Sequence, residues 1–395
     1  MQAVTLRSSA VRRAGLGLGL ALLLAGVYWF GRDPAPARSV PPEPPAADTA
    51  ASASPGLPAH PGPLASPGAA TPPGSQVAAQ LLREAEDRLA SYRRYARYPP
   101  GSRPAHEHPG EMTPFAPVVR SQPLYFKGQA NDEVRVSLGQ DRRELVADEV
   151  VRLWLRCEDS QGKALPCQVP QATVMMAPPS EGKVPPSATR FADDGLGGDE
   201  RAGDGTLTAA VQPSALGFGG YHGPVRVQLA IALGAEQGES FFDVMYTPEE
   251  PARFTGKVAE SLTEGSLVLA LGIQVKRPGR YFVIGRVDDE HGKQLGYLQW
   301  DGELAIGQKT VPLTVFGKLV HDARPELPLY LRDVEGFLFL DDSAPDRLHL
   351  PRLAGVVHKT RVYSLADFSD REWQSEQKQR YLDEYQKDLD RAKVE

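Results

Sequence analysis

The sequence predicts a mainly β protein with two tandem β-sandwiches, an N-terminal transmembrane helix, a disordered linker and flanking helices. From about residue 124 onward, apolar and polar residues alternate over many short segments separated by turn residues. Near the N-terminus lie 17 uncharged residues, followed by a segment rich in proline and alanine. Nothing alternates strand with helix, which argues against doubly wound and barrel α/β folds.

The predicted anchor is the uncharged segment 14–30, which follows a short cytoplasmic N-terminus, residues 1–13. Its length is at the lower end of what crosses a bilayer. The arginines before it predict that the N-terminus stays in the cytoplasm: Arg7, Arg12 and Arg13. We therefore expect a single-pass protein of the inner (cytoplasmic) membrane, with its C-terminal domains periplasmic or otherwise extracytoplasmic. The alternative is secretion after signal cleavage, for which Ala35-Pro36-Ala37 is the available small-x-small site.

The segments around the sandwiches have distinct compositions. Residues 33–75 contain 13 Pro and 11 Ala in 43 residues, a composition that predicts a disordered, extended linker. A helix over 76–98 is predicted after Ser75, and the Pro-rich connector 99–123 is expected to be a solvated loop. The tail 369–394 is predicted to be helical, with Ser369 and Glu372 as a capping box. Its apolar stripe is expected to dock on the second sandwich or on a partner helix: Trp373, Tyr381, Tyr385 and Leu389.

The first sandwich is predicted over 124–247 and the second over 251–368, because the Pro- and Glu-rich segment between them is typical of a domain junction. The clearest strands of the first are 150–156, 224–233 and 241–246. Those of the second are 267–275, 279–287, 295–300, 309–316, 327–333 and 356–365.

Charge and motifs restrict the function. The formal net charge is −6; the first 75 residues carry five Arg and three acids, so the remainder carries −8. An acidic domain does not favour a nucleic-acid partner, because phosphate binding needs a basic face. No nucleophile elbow, zinc-protease or nucleotide-binding motif is present, so we predict that the protein is not an enzyme. The alternative is a hydrolase whose site has no recognisable motif.

The two cysteines, Cys157 and Cys167, flank a segment with turn residues, and a hairpin there would place them opposite one another. In an oxidising compartment a disulfide is expected, contributing roughly 3 kcal/mol by loop entropy. The alternative is two unrelated thiols.

The most informative local feature is the acidic glycine loop, residues 191–205. It carries four aspartates and five glycines, and the aspartates are Asp193, Asp194, Asp199 and Asp204. Carboxylates and carbonyls on a flexible loop are the ligands that Ca²⁺ prefers, so these four residues are the candidate metal ligands. The alternative is a turn-rich hairpin in which the aspartates cap their own backbone amides. No other cofactor is expected.

The string FADDGLGGDERAGDGTLT, residues 191–208, resembles the DDG…GD…AGDG signature of exported bacterial Ig-like domains called choice-of-anchor X, with Leu207 where an aromatic residue is usual. Phe254-Thr255-Gly256 and Pro278-Gly279-Arg280-Tyr281 add to the resemblance, which covers about residues 124–365. The resemblance implies Ig-like or fibronectin-like β-sandwiches but indicates almost nothing about function.

These features together predict a non-catalytic, membrane-anchored envelope protein that acts as a binding or scaffolding module. The expected partners are the membrane, through the anchor, and another envelope protein or the cell wall. A calcium-dependent adhesive or structural module is the alternative that the acidic loop favours.

Overall fold

The computed structural model describes residues 73–126, 128–178 and 184–394. The predicted anchor, 14–30, and nearly all of the predicted linker, 33–75, lie outside these ranges. Among the described residues, no helix combines the length and the apolarity that crossing a bilayer requires. The described chain is mainly β, with several antiparallel sheets and three α-helices, which confirms the mainly β prediction.

The helices are α1 (Pro73–Tyr95), α2 (Gly317–Ala323) and α3 (Glu376–Ala392). The strands of the described residues, numbered in chain order, are β1 (Ser102–Pro104), β2 (Val118–Phe126), β3 (Gln129–Gln140), β4 (Glu144–Val146), β5 (Val151–Asp159), β6 (Ala164–Leu165), β7 (Gln168–Met176), β8 (Ser187–Thr189), β9 (Leu207–Val211), β10 (Gly223–Leu233), β11 (Glu236–Thr247), β12 (Ala252–Thr263), β13 (Ser266–Val275), β14 (Gly279–Asp288), β15 (Gln294–Leu304), β16 (Gly307–Val315), β17 (Tyr330–Phe339), β18 (Arg347–His349) and β19 (Leu353–Lys359).

Strands β2–β11 form one ten-stranded sheet in the order β6-β5-β3-β2-β11-β10-β7-β8, with β4 beside β11 and β9 beside β5. The β4–β11 pair is parallel and the other pairs are antiparallel. On β10, Val225 and Val227 are fully buried while Arg226 between them is half-buried, which is the period of two that the sequence shows. Buried side chains from across the sheet form one core, so the sheet must curl around it.

The second half of the chain has two sheets. β1, β14, β15 and β17–β19 form a six-stranded sheet, and β12, β13 and β16 form a three-stranded one. Apolar residues of both sheets, such as Leu269 on β13 and Val283 on β14, meet in a single core. Two sheets that share one core between them are consistent with a β-sandwich.

The connector, 99–123, differs from the solvated loop that its prolines predicted. Ser102–Pro104 forms β1, which pairs with β15, and β2 begins at Val118, before the predicted sandwich boundary at 124. Met112 is fully buried and packs with Ala105 and Tyr297. The connector therefore covers part of the outer face of the six-stranded sheet, because its few apolar side chains fit between outward-facing residues of that sheet.

The C-terminal helix begins at Glu376 and not at residue 369. Its N-cap is Ser375, whose side chain accepts a hydrogen bond from the Lys378 amide at 3.0 Å. Ser369, predicted as the cap, instead donates its amide to the Gly265 carbonyl at 2.9 Å. The segment before the helix is thus held by the second sandwich, which delays the helix start.

The apolar stripe of α3 docks on α1. The Tyr92 ring centre lies 5.7 Å from that of Tyr381 and 5.2 Å from that of Tyr385. Leu89 and Leu389 are buried in the same small cluster. The two ends of the described chain are therefore held together by a pair of helices.

Candidate functional site

The acidic loop connects β8 to β9 and lies over the outer face of β5. Along β5, Arg152, Trp154 and Arg156 are half-buried and alternate with fully buried neighbours, so they lie on the face away from the core. Arg152 donates to the Gly198 carbonyl at 3.3 Å and to the Glu200 carboxylate at 2.8 Å. Arg156 donates to the backbone carbonyl of Asp204 at 3.2 Å. Arginines on the strand thus hold the loop to the sheet.

The structure brings together three of the four predicted metal ligands. One carboxylate oxygen from each of Asp193, Asp199 and Asp204 lies within 4.8 Å of the others. Asp194 is not in this group: its carboxylate lies 3.8 Å from the Arg190 guanidinium and accepts the Leu196 amide at 3.0 Å. Three carboxylates this close concentrate negative charge at one point of the loop.

Backbone amides already bind these carboxylates. Asp193 accepts the amides of Asp204 at 3.2 Å and Gly205 at 2.8 Å, as well as that of Gly203. Gly203 and Gly205 have φ values of 74° and 82°, a region that side chains disfavour, and this conformation turns their amides toward Asp193. Asp199, which is 8% exposed, accepts the Gly195 amide at 2.6 Å. These contacts are those that the turn interpretation predicts.

A hydrogen bond from a backbone amide also stabilises the charged form of Asp204. The Thr206 amide donates to the Asp204 carboxylate at 2.8 Å. This hydrogen bond holds the pKa of Asp204 below its usual value, because it stabilises the ionised form. Asp204 is therefore an anionic acceptor at neutral pH.

A pocket of about 270 Å³ lies between the loop and the sheet. Its lining combines an aromatic ring, hydroxyls and charged groups: Arg152, Trp154, Gly198, Asp199, Glu200, Asp204, Thr206 and Thr208. The sequence pattern alone does not predict this pocket. The available signal was Trp154, a large aromatic residue in the outward-facing phase of a strand, where polar residues are usual.

Next to this site, the structure joins Cys157 and Cys167 in a disulfide, with 6.2 Å between their Cα atoms. Cys157 is fully buried on β5, and the bond closes the hairpin that contains β6. The turn between them is held by Asp159, whose carboxylate accepts the amides of Gln161 and Lys163, both at 2.9 Å.

No protein-family model and no curated protein matches the chain. Among solved structures, it is similar to a DUF4785 family protein from Legionella pneumophila, at 11% identity and a TM-score of 0.37 over 59% of this chain and 58% of that one. A DUF3823 family protein from Bacteroides ovatus matches at 10% identity and a TM-score of 0.18 over 50% of this chain and 93% of that one. The BSP domain of a biofilm associated protein matches at 12% identity and a TM-score of 0.16 over 54% of this chain and 29% of that one. The chain thus spans a little over half the length of the Legionella protein, and similarities this low identify no family and no function.

Proposed function

We propose that this protein is a non-catalytic envelope protein, anchored in the inner membrane, whose two Ig-like β-sandwiches act as a binding or scaffolding module outside the cytoplasm. The observation that carries the proposal is the disulfide between Cys157 and Cys167, which uses both cysteines of the chain. Disulfides persist in oxidising compartments and are rare in the cytosol. The uncharged segment 14–30 and the arginines before it support the same orientation.

The predicted linker supports a role in binding at a distance from the membrane. If residues 33–75 are fully extended, they reach about 130 Å at roughly 3.1 Å per residue. That reach suits a partner in the cell wall or on another envelope protein. The resemblance of residues 191–208 to choice-of-anchor X domains supports the Ig-like assignment of the sandwiches, with the first curled sheet as one and the paired sheets as the other.

Export and partner capture test this proposal. The full chain, expressed in a bacterium with a C-terminal tag, should fractionate with the inner membrane, and its thiols should resist alkylation until a reductant is added. A control lacking residues 14–30 should remain in the cytoplasm with both thiols alkylated. Cross-linking of the anchored chain should then recover one consistent envelope protein or wall fragment. A full-length chain that stays in the cytoplasm with free thiols contradicts the location, and cross-linking that recovers nothing contradicts the binding role.

The second candidate function, a calcium-dependent adhesive or structural module, is favoured by the convergence of Asp193, Asp199 and Asp204 within 4.8 Å. If Ca²⁺ binds there, a concentration about 100 times its Kd should add about 2.7 kcal/mol to the free energy of unfolding. Thermal melts in EDTA and in Ca²⁺ measure this. Asp199→Asn should abolish the difference, whereas Asp194→Asn, in the same loop but outside the cluster, should retain it. An unchanged melting midpoint in the unsubstituted protein would contradict calcium binding. The aspartates would then serve only to bind backbone amides within the turns of the loop.

A further inference from the structure

The pocket beneath the acidic loop contains a fixed aromatic surface. Trp154 leans over Gly139, its partner on the neighbouring strand β3, and a Cβ at Gly139 would come within 2.0 Å of the indole. The glycine therefore creates the space in which the ring lies, and the strand pairing holds the ring in place. The Arg152 guanidinium lies over the same ring, 5.4 Å from its centre, so a ligand ring in this pocket would contact the half-buried indole together with Arg152.

The side chain of a nearly buried threonine also lines the pocket. Thr208, on β9 opposite Trp154, is only 7% exposed, and it lines the pocket. Because a hydroxyl both donates and accepts hydrogen bonds, the Thr208 side chain can pair with a ligand hydroxyl. Thr206, just before β9, supplies a second hydroxyl to the lining of the pocket.

The charges of the pocket restrict what it can bind. Arg152 contributes one positive charge, and three carboxylates contribute negative ones: Asp199, Glu200 and Asp204. The net negative charge of the pocket disfavours ligands that carry phosphate or carboxylate groups. It favours a neutral or cationic ligand with several hydroxyls, because the aspartate and glutamate side chains accept hydrogen bonds from hydroxyls. Arg152 is held by Glu200 and by the Gly198 carbonyl, so its remaining donors have a fixed direction.

We propose that this pocket binds one sugar ring, neutral or amine-bearing, either free or at the end of an envelope polysaccharide. The volume of about 270 Å³ is just below the usual range for drug-sized ligands and matches a single ring better than a chain. The inference rests on the proposed binding role and names the chemical class of its ligand.

Calorimetric titration of the purified full chain, in EDTA so that no cation mediates binding, tests the proposal. The probes are N-acetylglucosamine, glucosamine, galactose, glucose 6-phosphate and a tetrasaccharide of N-acetylglucosamine. At least one unphosphorylated sugar should bind saturably, with a Kd on the order of 1 mM, as expected for a ligand of this size. The tetrasaccharide binding more tightly than the monosaccharide supports a polysaccharide end as the ligand, and equal binding supports a free sugar.

Variants localise the binding. Trp154→Ala should weaken it about tenfold and Thr208→Val about fivefold, whereas Trp154→Phe should retain most of it. Trp300→Ala is the matched control: Trp300 also leans over a glycine, Gly302, but lies on β15 outside the pocket, and the affinity should not change. Melting midpoints establish that each variant is folded.

Two outcomes overturn the inference: no saturable binding of any probe, or binding that is the same in Trp154→Ala as in the unsubstituted protein. Tighter binding of glucose 6-phosphate than of the unphosphorylated sugars also overturns it, because it contradicts the charge argument. Export and partner capture without sugar binding would contradict this inference alone. Sugar binding by a chain that remains in the cytoplasm would contradict the proposed function alone.

Discussion

Replacing Arg286 with alanine should lower the free energy of unfolding by about 3–5 kcal/mol, because it leaves a buried ionic contact without its positive partner. Arg286 is 1% exposed on β14. Its guanidinium donates to the backbone carbonyls of Glu111 and Asp333, both at 2.8 Å, and forms an ion pair with Glu335. It therefore ties the connector to β17 across the outer face of the six-stranded sheet.

Arg280 provides a control on the same strand. It forms a bidentate pair with Asp301 at 2.8 and 2.6 Å, but both side chains are largely exposed. Arg280→Ala should cost about 1 kcal/mol or less, because exposed ion pairs contribute little. Denaturant unfolding measures both variants, and equal losses would contradict a structural role for Arg286. Hydrogen exchange should also show faster exchange of the connector amides in Arg286→Ala.

The burial of Arg286 cannot be predicted from the sequence pattern. Alternation identified the strands because one face of each strand packs on a core, as β10 and β13 do. The same alternation places Arg280 and Arg286 on the outer face of β14, and it gives both the same predicted environment. Only the tertiary path of the connector distinguishes them, since residues 105–112 cover Arg286 and leave Arg280 in solvent.

The acidic loop shows a similar limit. The sequence gives no reason to choose among the four aspartates as ligands, whereas the structure brings Asp193 together with Asp199 and Asp204 and leaves Asp194 apart. Asp193 and Asp194 are adjacent, and their side chains have different partners: backbone amides for Asp193 and Arg190 for Asp194. The composition of the segment therefore predicts the acidic loop. Which of the two adjacent aspartates joins the carboxylate cluster depends on the backbone conformation of the glycines, which the sequence does not specify.

Lowering the pH from 6.5 to 4 should destabilise the protein through His349 by about 3 kcal/mol in total. Burial, together with the nearby charges of Arg347 and His222, lowers the pKa of His349 to about 4. His349 lies on β18, where its ring is 6.1 Å from that of Phe337 and its amide donates to the Thr247 hydroxyl at 3.2 Å. The site thus joins the second sandwich to the end of β11.

The direction of the effect follows from proton uptake. In the unfolded chain His349 titrates with a pKa of about 6.5, and in the folded protein with a pKa of about 4. Between these values the unfolded state binds more protons, so the free energy of unfolding falls by about 1.4 kcal/mol for each pH unit. The contribution is present in full above pH 6.5 and is lost as the pH falls to about 4. Burial also lowers the pKa of His222, which therefore acts in the same direction.

Substitution separates this effect from acid titration elsewhere in the chain. The free energy of unfolding of His349→Gln should decline less steeply than that of the unsubstituted protein between pH 6.5 and 4, because glutamine takes up no proton. His291→Gln, at an exposed turn between β14 and β15, should retain the original slope. Denaturant unfolding at four or more pH values gives these slopes. If His349→Gln has the same slope as the unsubstituted protein, then His349 is not the group whose protonation opposes folding, and His222 and carboxylates must account for the acid sensitivity. A shallower slope in His349→Gln alone would instead establish that the junction of β18 with β11 depends on an uncharged imidazole.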